Sequence, residues 1–317
     1  MQPRKILAIA FAATTVAGLF GASANAVTKK SSTKATTTTK KPVTTTAATA
    51  APTTTAAAPA PTPVATGGAT LEAIKKKGKI TIGVKYDVPL IGLKNPVTGD
   101  LNGFDIEMSR IIARAIFGTD KGKIEFVEAI SANRIPFIKD SKVDLILSTF
   151  SITDARKKEV DMAGPYYVAG QDLLIYKIEA DQIKSAADLN GRKVCAQTGS
   201  TSIANIKTAA PKATVLDLPT TANCVEALKD GRVDAVSTDD TLLAGFAEKN
   251  PQLTLVGKQF SVERYGVGLK FGDKEFRSYL NDIIEASFKD GSWKKAVEST
   301  IGVGGIKVGS TPTVDRY

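Results

Sequence analysis

One ten-residue pattern occurs twice in this chain of 317 residues, at positions ninety residues apart. Ile138–Leu147 has the sequence IKDSKVDLIL, and Leu228–Ser237 has the sequence LKDGRVDAVS. Each copy has the features of a helix end, a tight turn and a buried strand. A chance repeat is the alternative. Otherwise the repeat predicts two lobes of related design, in which strands alternate with helices and form mostly parallel sheets.

Other hydrophobic segments are assigned to the two lobes by the same reasoning. Lys79–Val84 alternates like a strand, and Gly191–Ala196 repeats the features of that opening strand. The strand and helix that follow Glu263 have no sheet of their own, so we expect them to return to the first lobe. Two crossovers near Gly170 and Glu263 would then form a hinge. The predicted boundaries are 70–170 with 263–303 for lobe one, 171–262 for lobe two, and 304–317 for a tail.

The N-terminal part has the composition of a targeting segment followed by a linker. Residues 1–26 contain two basic residues, the apolar run Ile6–Phe20 and small residues up to Ala26, which is the pattern of a secretory signal peptide. An uncleaved signal anchor is the alternative, and no cysteine follows the run to accept a lipid. Residues 27–69 are almost only Thr, Ala, Pro, Lys and Ser and are predicted to form a disordered linker. We therefore expect an extracytoplasmic protein, either in the cell envelope or secreted.

The net charge of +10 is concentrated near the N-terminus. Residues 1–67 contain no acidic residue and contribute +7, which leaves +3 for the rest of the chain. No basic stripe with interleaved aromatic residues occurs in that remainder, so nucleic-acid binding is not predicted. Because the chain has no histidine, a Ser-His-Asp triad, a Cys-His pair and a zinc site with imidazole ligands are excluded.

The two cysteines, Cys195 and Cys224, are too few for a zinc site made of cysteines alone. With an export signal we expect one disulfide between them, and two free buried thiols are the alternative. Asp239 and Asp240 have too few neighbouring oxygen ligands to favour a metal site. The loop at Gly199 lacks the lysine of a nucleotide-binding P-loop. No cofactor is predicted.

The stretch Leu147–Arg156 combines groups that bind carboxylates. A strand at Val143–Leu147 is followed by hydroxyl-bearing residues, and Thr153 with Asp154 is expected to cap a helix whose first turn carries Arg156. A helix start offers unpaired backbone donors, and arginine adds a two-pronged charge-assisted bond. A capped helix with a solvated arginine is the alternative.

Polar side chains follow the predicted strands of both lobes, at the sheet edge where ligands of open α/β sheets bind. Together they suit a small zwitterion with an additional anionic group: its carboxylate on Arg156, its ammonium on Asp239, and the additional group on Lys85 or Arg134. For each residue singly, a solvated loop position is the alternative. The candidate ligand-binding residues are Lys85, Tyr86, Ser131, Arg134, Thr149, Ser151, Arg156, Gln197, Ser200, Thr201 and Asp239.

From about Lys79 to Gly302 the sequence resembles the family-3 extracytoplasmic solute-binding proteins of ABC transporters for polar amino acids. In Val84–Asp87, Val236–Asp240 and the cysteine positions it is similar to the actinobacterial glutamate-binding subgroup. The motifs that carry the family resemblance are Gly103–Asp105, Asn133–Pro136, Lys142–Leu145, Ser151–Lys157, Gly164–Tyr167, Gly199–Ser202 and Gly231–Asp240.

The resemblance implies an α/β, two-lobed periplasmic-binding-protein fold of type II, the Venus-flytrap fold, with a hinge of two crossovers. It also implies a monomer that closes on L-glutamate or aspartate and delivers it to a membrane permease. In the family pattern, Lys85 replaces an arginine found in some acidic amino-acid binders. A single ammonium lacks the fork that rejects amides, so glutamine or asparagine could be tolerated.

The resemblance also implies a role for most candidate residues. Arg156 with Thr149 and Ser151 matches the α-carboxylate clamp, Gln197 and Ser200 match contacts near the same group, Asp239 matches the ammonium site, and Lys85, Ser131 and Arg134 match the grip on the side-chain carboxylate. The expected function is therefore binding rather than catalysis. One alternative is an amino-acid-sensing surface module. Another is an enzyme of dehydratase or lytic type, which would require a carboxyl group with a raised pKa in the cleft.

Overall fold

The computed structural model describes residues 65–307 and 309–317. The predicted signal peptide and nearly all of the predicted linker lie outside these residues, so both stay predictions. Within the described residues, no helix combines the length and the hydropathy that a membrane span requires.

Helices and strands alternate along most of the described chain. The helices are α1 (Gly68–Lys77), α2 (Phe104–Phe117), α3 (Arg134–Lys139), α4 (Asp154–Lys157), α5 (Ser202–Ala209), α6 (Thr221–Lys229), α7 (Asp240–Lys249), α8 (Lys274–Lys289) and α9 (Ser292–Ser299). The strands are β1 (Ile80–Val84), β2 (Asp87–Val88), β3 (Gly92–Lys94), β4 (Leu101–Asn102), β5 (Ile124–Glu128), β6 (Leu145–Ile146), β7 (Asp161–Ala169), β8 (Gln171–Tyr176), β9 (Lys193–Gln197), β10 (Thr214–Leu218), β11 (Ala235–Asp239), β12 (Leu253–Leu255) and β13 (Glu263–Leu269).

The first lobe is built on a sheet with the strand order β5-β1-β6-β13-β7. β1 pairs in parallel with β5 and β6, and every residue of β1 is buried. A strand that is buried along its whole length is typical of a sheet that is covered on both faces. Helix α2 buries one apolar face, with Phe104, Met108, Ile111 and Ile112 at most 4% exposed.

The second lobe is built on a sheet with the strand order β10-β9-β11-β8-β12. β9 pairs in parallel with β10 and β11, while β8 pairs antiparallel with β11 and β12. A disulfide joins Cys195 in β9 to Cys224 in α6, and both residues are fully buried. The predicted disulfide is therefore confirmed.

Two crossovers connect the lobes and run side by side. β7 ends at Ala169 in the first sheet, and β8 begins at Gln171 in the second. The chain returns through β13, whose first residue, Glu263, pairs with Ala169. Because β13 then lies between β6 and β7, the last strand of the described residues belongs to the first sheet.

Local structure differs from the sequence predictions around lobe one. The strand predicted at Val143–Leu147 is shortened to Leu145–Ile146. Just before this strand, the Asp144 carboxylate accepts hydrogen bonds from the Thr81 amide and from Lys77. A side chain therefore takes the Thr81 amide that a longer strand would pair through its backbone. The helix predicted after Thr153 is a single turn of four residues, because β7 begins soon afterwards at Asp161.

The C-terminal residues 309–317, which are predicted to be part of a tail, lie against lobe one. The Asp315 amide donates to the Gly164 carbonyl over 2.7 Å. Arg316 Nη2 donates to Asp282 Oδ1 over 2.7 Å and to Glu285 Oε2 over 2.8 Å. These bonds fasten the segment to β7 and α8.

Candidate functional site

A small polar cavity lies between the lobes, at the edge where the strands of both sheets end. Eight of the eleven candidate residues are among those that line it, and Ser202 and Thr238 complete the lining. Contacts join the two walls: Lys85 and Ser131 of lobe one both donate to Gln197 of lobe two. The lining residues are Ser131, Arg134, Thr149, Ser151, Gln197, Ser200, Thr201, Ser202, Thr238 and Asp239.

Three candidate residues are not part of that lining. Lys85 lies directly behind Gln197, with its Nζ 3.1 Å from Gln197 Oε1. Arg156 lines an adjoining surface depression together with Phe150 and Gly199. Tyr86 donates its hydroxyl to the Phe126 carbonyl, and Lys94 covers its ring. The side chain of Tyr86 is therefore engaged within lobe one.

The loop after β6 has an unusual conformation at Thr149, whose φ is +44°. Left-handed backbone is unfavourable for a β-branched residue, so the surrounding structure must hold it. The Thr149 amide donates to Asp105 Oδ2 over 2.9 Å, and the Tyr166 hydroxyl donates to Asp105 Oδ1 over 2.6 Å. Burial raises the pKa of Asp105 to about 6, while these two hydrogen bonds act in the opposite direction.

Arg134 is bound mainly to the backbone of the same loop. Its Nε donates to the Ser131 carbonyl, and its Nη1 donates to the carbonyls of Ser148 and Thr149 over 2.9 and 3.1 Å. Burial lowers the pKa of Arg134 well below its usual value, and the nearby Arg156 adds to this effect. Two of its three guanidinium nitrogens therefore support the floor of the cavity.

Arg156 is positioned by its neighbours and not by a long helix. Its backbone amide donates to the Thr153 hydroxyl, as the predicted cap requires. Its Nη1 donates to the Ser151 carbonyl over 2.7 Å, and its guanidinium carbon lies 4.8 Å from the centre of the Phe150 ring. A helix of one turn supplies few unpaired amides, so the expected anion site at a helix start is reduced to the arginine and the loop.

Lys85 and Gln197 form a buried polar pair between the lobes. They are 2% and 3% exposed, and burial lowers the pKa of Lys85 to about 8. Within the described residues, no carboxylate oxygen lies within 4.0 Å of Lys85 Nζ. The Gln197 Nε2 group is buried and makes no hydrogen bond to any described residue. The pair thus presents a cation and an amide donor whose bonding capacity the described protein does not fill.

Asp239 provides the acidic group on the opposing wall. The Tyr265 hydroxyl donates to its Oδ2 over 2.6 Å, and the Tyr265 hydroxyl also contacts Thr241 Oγ1. Burial raises the pKa of Asp239 to about 7, and the negative charge of Glu263 acts in the same direction. A bound ammonium would offset both effects.

Several residues that surround this cavity have no role predicted from the sequence. Asp105 belongs to a quoted motif, but its bond to the Thr149 amide joins positions far apart in the sequence. Glu263 is predicted only as a crossover position and Gln171 only as the start of lobe two, yet both are almost fully buried and hydrogen-bonded to α5. The sequence signal for Glu263 is an acidic residue at a predicted crossover, and its burial is decided by the structure.

Comparison with known proteins identifies the family. Residues 80–302 match the model of the bacterial extracellular solute-binding proteins, family 3. The chain belongs to this family. The predicted family and the predicted two-lobed α/β fold are both confirmed.

Individual relatives of this family-3 protein differ in what their names say they bind. A glutamine-binding protein from Geobacillus stearothermophilus is 43% identical over 70% of this chain and 83% of its own length. The glutamate-binding protein GluB from Corynebacterium efficiens is 34% identical over 74% of this chain and 83% of its own length. A solved ancestral amino acid-binding protein, a precursor of cyclohexadienyl dehydratase, is 32% identical, with a TM-score of 0.66 over 73% of this chain and 99% of its own.

Proposed function

We propose that this family-3 protein captures glutamate outside the cytoplasm and delivers it to an ABC-type permease. The α-carboxylate would bind Arg156 with Thr149 and Ser151, and the α-ammonium would bind Asp239. Export through the predicted signal peptide, action as a monomer and the absence of lipid attachment belong to the same proposal.

The observation that carries the acidic specificity is the buried ammonium of Lys85. A cation removed from water is unfavourable unless an anion or several acceptors compensate it. Its hydrogen-bond partner within the described protein is a neutral amide, Gln197. The carboxylates of Asp87, Asp105 and Asp239 act on Lys85 only from beyond 4.0 Å. The side-chain carboxylate of glutamate would supply the missing charge and would accept from Gln197 Nε2. Aspartate carries the same group on a shorter side chain and is expected to bind more weakly.

Glutamine is the second candidate ligand. The relative named for glutamine is 43% identical, whereas the GluB relative is 34% identical. A ligand amide oxygen could accept from both Lys85 and Gln197. The lysine, unlike arginine, does not require a bidentate carboxylate.

An enzyme of dehydratase type remains an alternative, because Asp239 has the raised pKa that such chemistry requires. The solved ancestor of a dehydratase described above has a related sequence. Binding without conversion of any added compound would exclude this alternative. The sensing-module alternative rests on the predicted linker, nearly all of which lies outside the described residues.

Isothermal calorimetry of the protein without its predicted signal peptide, against the twenty amino acids, tests the proposal. We expect glutamate to bind most tightly, aspartate and glutamine more weakly, and cationic amino acids not at all. If glutamine bound more tightly than glutamate, glutamine would be the ligand. If no amino acid gave a heat of binding, the proposal would be overturned.

A Lys85→Met variant tests whether Lys85 distinguishes the side-chain carboxylate of glutamate from the side-chain amide of glutamine. Loss of a buried charge partner should weaken glutamate binding by about 2–5 kcal/mol, with a much smaller effect on glutamine. Lys76→Met, at an exposed lysine of α1, is the matched control and should leave both affinities unchanged. Equal losses for acid and amide in the Lys85 variant would show that Lys85 does not distinguish them.

A further inference from the structure

The hydrogen bonds at the hinge converge on one helix of lobe two. Asn205 of α5 donates its Nδ2 to Gln171 Oε1 and to Glu263 Oε1, each over 2.8 Å. Gln171 begins β8 after the first crossover, and Glu263 begins β13 after the second. A single side-chain amide therefore ties both connections between the lobes to α5.

Glu263 accepts a second bond from the same helix end. The Thr201 hydroxyl donates to Glu263 Oε2 over 2.9 Å, and the Ser261 hydroxyl donates to Oε1 over 2.9 Å. Glu263 is 3% exposed, so its carboxylate depends on these donors for solvation. Hydrogen bonds to a buried charged group are among the stronger ones in proteins.

These bonds cross from one lobe to the other. Glu263 pairs with Ala169 in the sheet of lobe one. In lobe two, Thr201 immediately precedes α5 and Asn205 belongs to it. Thr201 also lines the ligand cavity, but Asn205 is not among the lining residues. An opening of the cleft that moves α5 away from β13 would break the bonds to Glu263.

We propose that Asn205 and Glu263 form a closure latch, a pair of positioning residues that stabilises the closed lobes without contacting the ligand. The inference rests on the proposed function, in that ligand capture requires closure. A ligand that binds the closed form has an apparent affinity proportional to the fraction of protein that is closed. Weakening the latch should therefore weaken every ligand by the same factor.

The substitution Asn205→Asp is nearly isosteric and places a second carboxylate next to that of Glu263. We expect glutamate and glutamine to bind about 10-fold more weakly, or worse, by the same factor for both and chiefly through faster dissociation. In the double variant Asn205→Asp with Glu263→Gln, the new amide can donate to the new carboxylate. Most of the affinity should then return.

Thr208→Val is the matched control on the same helix, because the Thr208 hydroxyl is exposed and donates only to the Ala204 carbonyl. Its affinities should equal those of the unmodified protein. Unchanged binding by Asn205→Asp, or no recovery in the double variant, would overturn the latch. Unequal losses for glutamate and glutamine would also overturn it, because they would indicate a direct role in reading the ligand.

Hydrogen exchange of the ligand-free protein separates this inference from the proposed function. Amides at 169–171 and 261–264 should exchange faster in Asn205→Asp and should recover protection in the double variant. If the unmodified protein bound no amino acid but the two variants showed these differences in exchange, the proposed function would fail and the latch would stand. If exchange at these amides were unaffected, the latch would be refuted whatever the ligand.

Discussion

Lys85, which lies behind Gln197, and Asp239, which lines the cavity, are ionisable residues whose protonation is altered by burial. Burial lowers the pKa of Lys85 to about 8 and raises that of Asp239 to about 7. Burial is the main cause of both shifts, because the charged form has lost water. The negative charge of Glu263 adds to the shift of Asp239, and that of Asp87 partly offsets the shift of Lys85. The ammonium of any bound amino acid would lower the pKa of Asp239, whereas only a ligand with a side-chain carboxylate would raise that of Lys85.

The affinity for every amino acid should decrease as the pH falls below about 7. Binding of an ammonium lowers the pKa of Asp239, so the bound state holds fewer protons than the free state. The contribution of Asp239 is then complete above the free pKa of about 7 and is lost progressively below it, by up to about tenfold per pH unit. Calorimetry between pH about 8 and about 5.5 measures this slope while the ligand carboxylates stay ionised.

The same titration series distinguishes the two residues. An acidic ligand raises the pKa of Lys85, so glutamate affinity should be complete below the free pKa of about 8 and should fall above it. Glutamine affinity should change little in that range. Asp239→Asn should abolish the decrease on the acidic side, and persistence of that slope in the variant would assign it to another group.

At the scale of secondary structure, the site is assembled from loops that rigid elements hold at their ends. The left-handed Thr149 is fixed by Asp105 at the start of α2, and Arg134 of α3 binds the Ser148 and Thr149 carbonyls. In lobe two, the disulfide joins β9, which carries Gln197, to α6. Preorganisation of this kind reduces the ordering that a ligand must impose.

Removal of the disulfide should lower the stability of lobe two. The Cys195→Ala/Cys224→Ala variant is expected to lose about 3–4 kcal/mol of unfolding free energy, because the bridge closes a loop of 29 residues in the unfolded chain. Chemical denaturation measures this loss. A reducing agent should destabilise the unmodified protein and leave the variant unchanged. An equal response of both proteins would mean that the disulfide does not account for their difference in unfolding free energy.

At the scale of the whole molecule, the C-terminal segment connects the hinge to the back of lobe one. Asp315 pairs with Arg264 of β13 over 2.9 Å, one residue after Glu263. Arg277 of α8 and Lys157 of α4 both lie over the Tyr317 ring, at 3.8 and 4.8 Å. The segment therefore contacts the return crossover and the turn that carries Arg156.

Deletion of residues 309–317 should lower the melting temperature while preserving the preference between glutamate and glutamine. Each kcal/mol lost corresponds to about 2–4 °C for a protein of this size class. Differential scanning calorimetry gives the shift, and Arg316→Ala alone should produce a smaller one, since its contacts are partly exposed. An unchanged melting temperature after the deletion would show that the segment adds nothing to the stability of lobe one.

The sequence by itself determined the two-lobed α/β fold, because buried parallel strands and amphipathic helices leave local hydrophobic patterns that need no knowledge of distant residues. The repeated motif of Ile138–Leu147 and Leu228–Ser237 falls in both lobes for that reason. Strand ends likewise indicated Arg156, Gln197 and Asp239 as candidates, since the end of a buried strand is visible in the sequence.

Only the tertiary structure decided which polar groups meet. The bonds from Thr149 to Asp105, from Arg134 to the loop carbonyls, and from Asn205 to Glu263 join residues that are distant in sequence. No local pattern encodes such pairs, because they depend on how the sheets pack and how closely the lobes approach. For the same reason Tyr86, which stands at a strand end like Lys85, has its hydroxyl bound within lobe one at the Phe126 carbonyl.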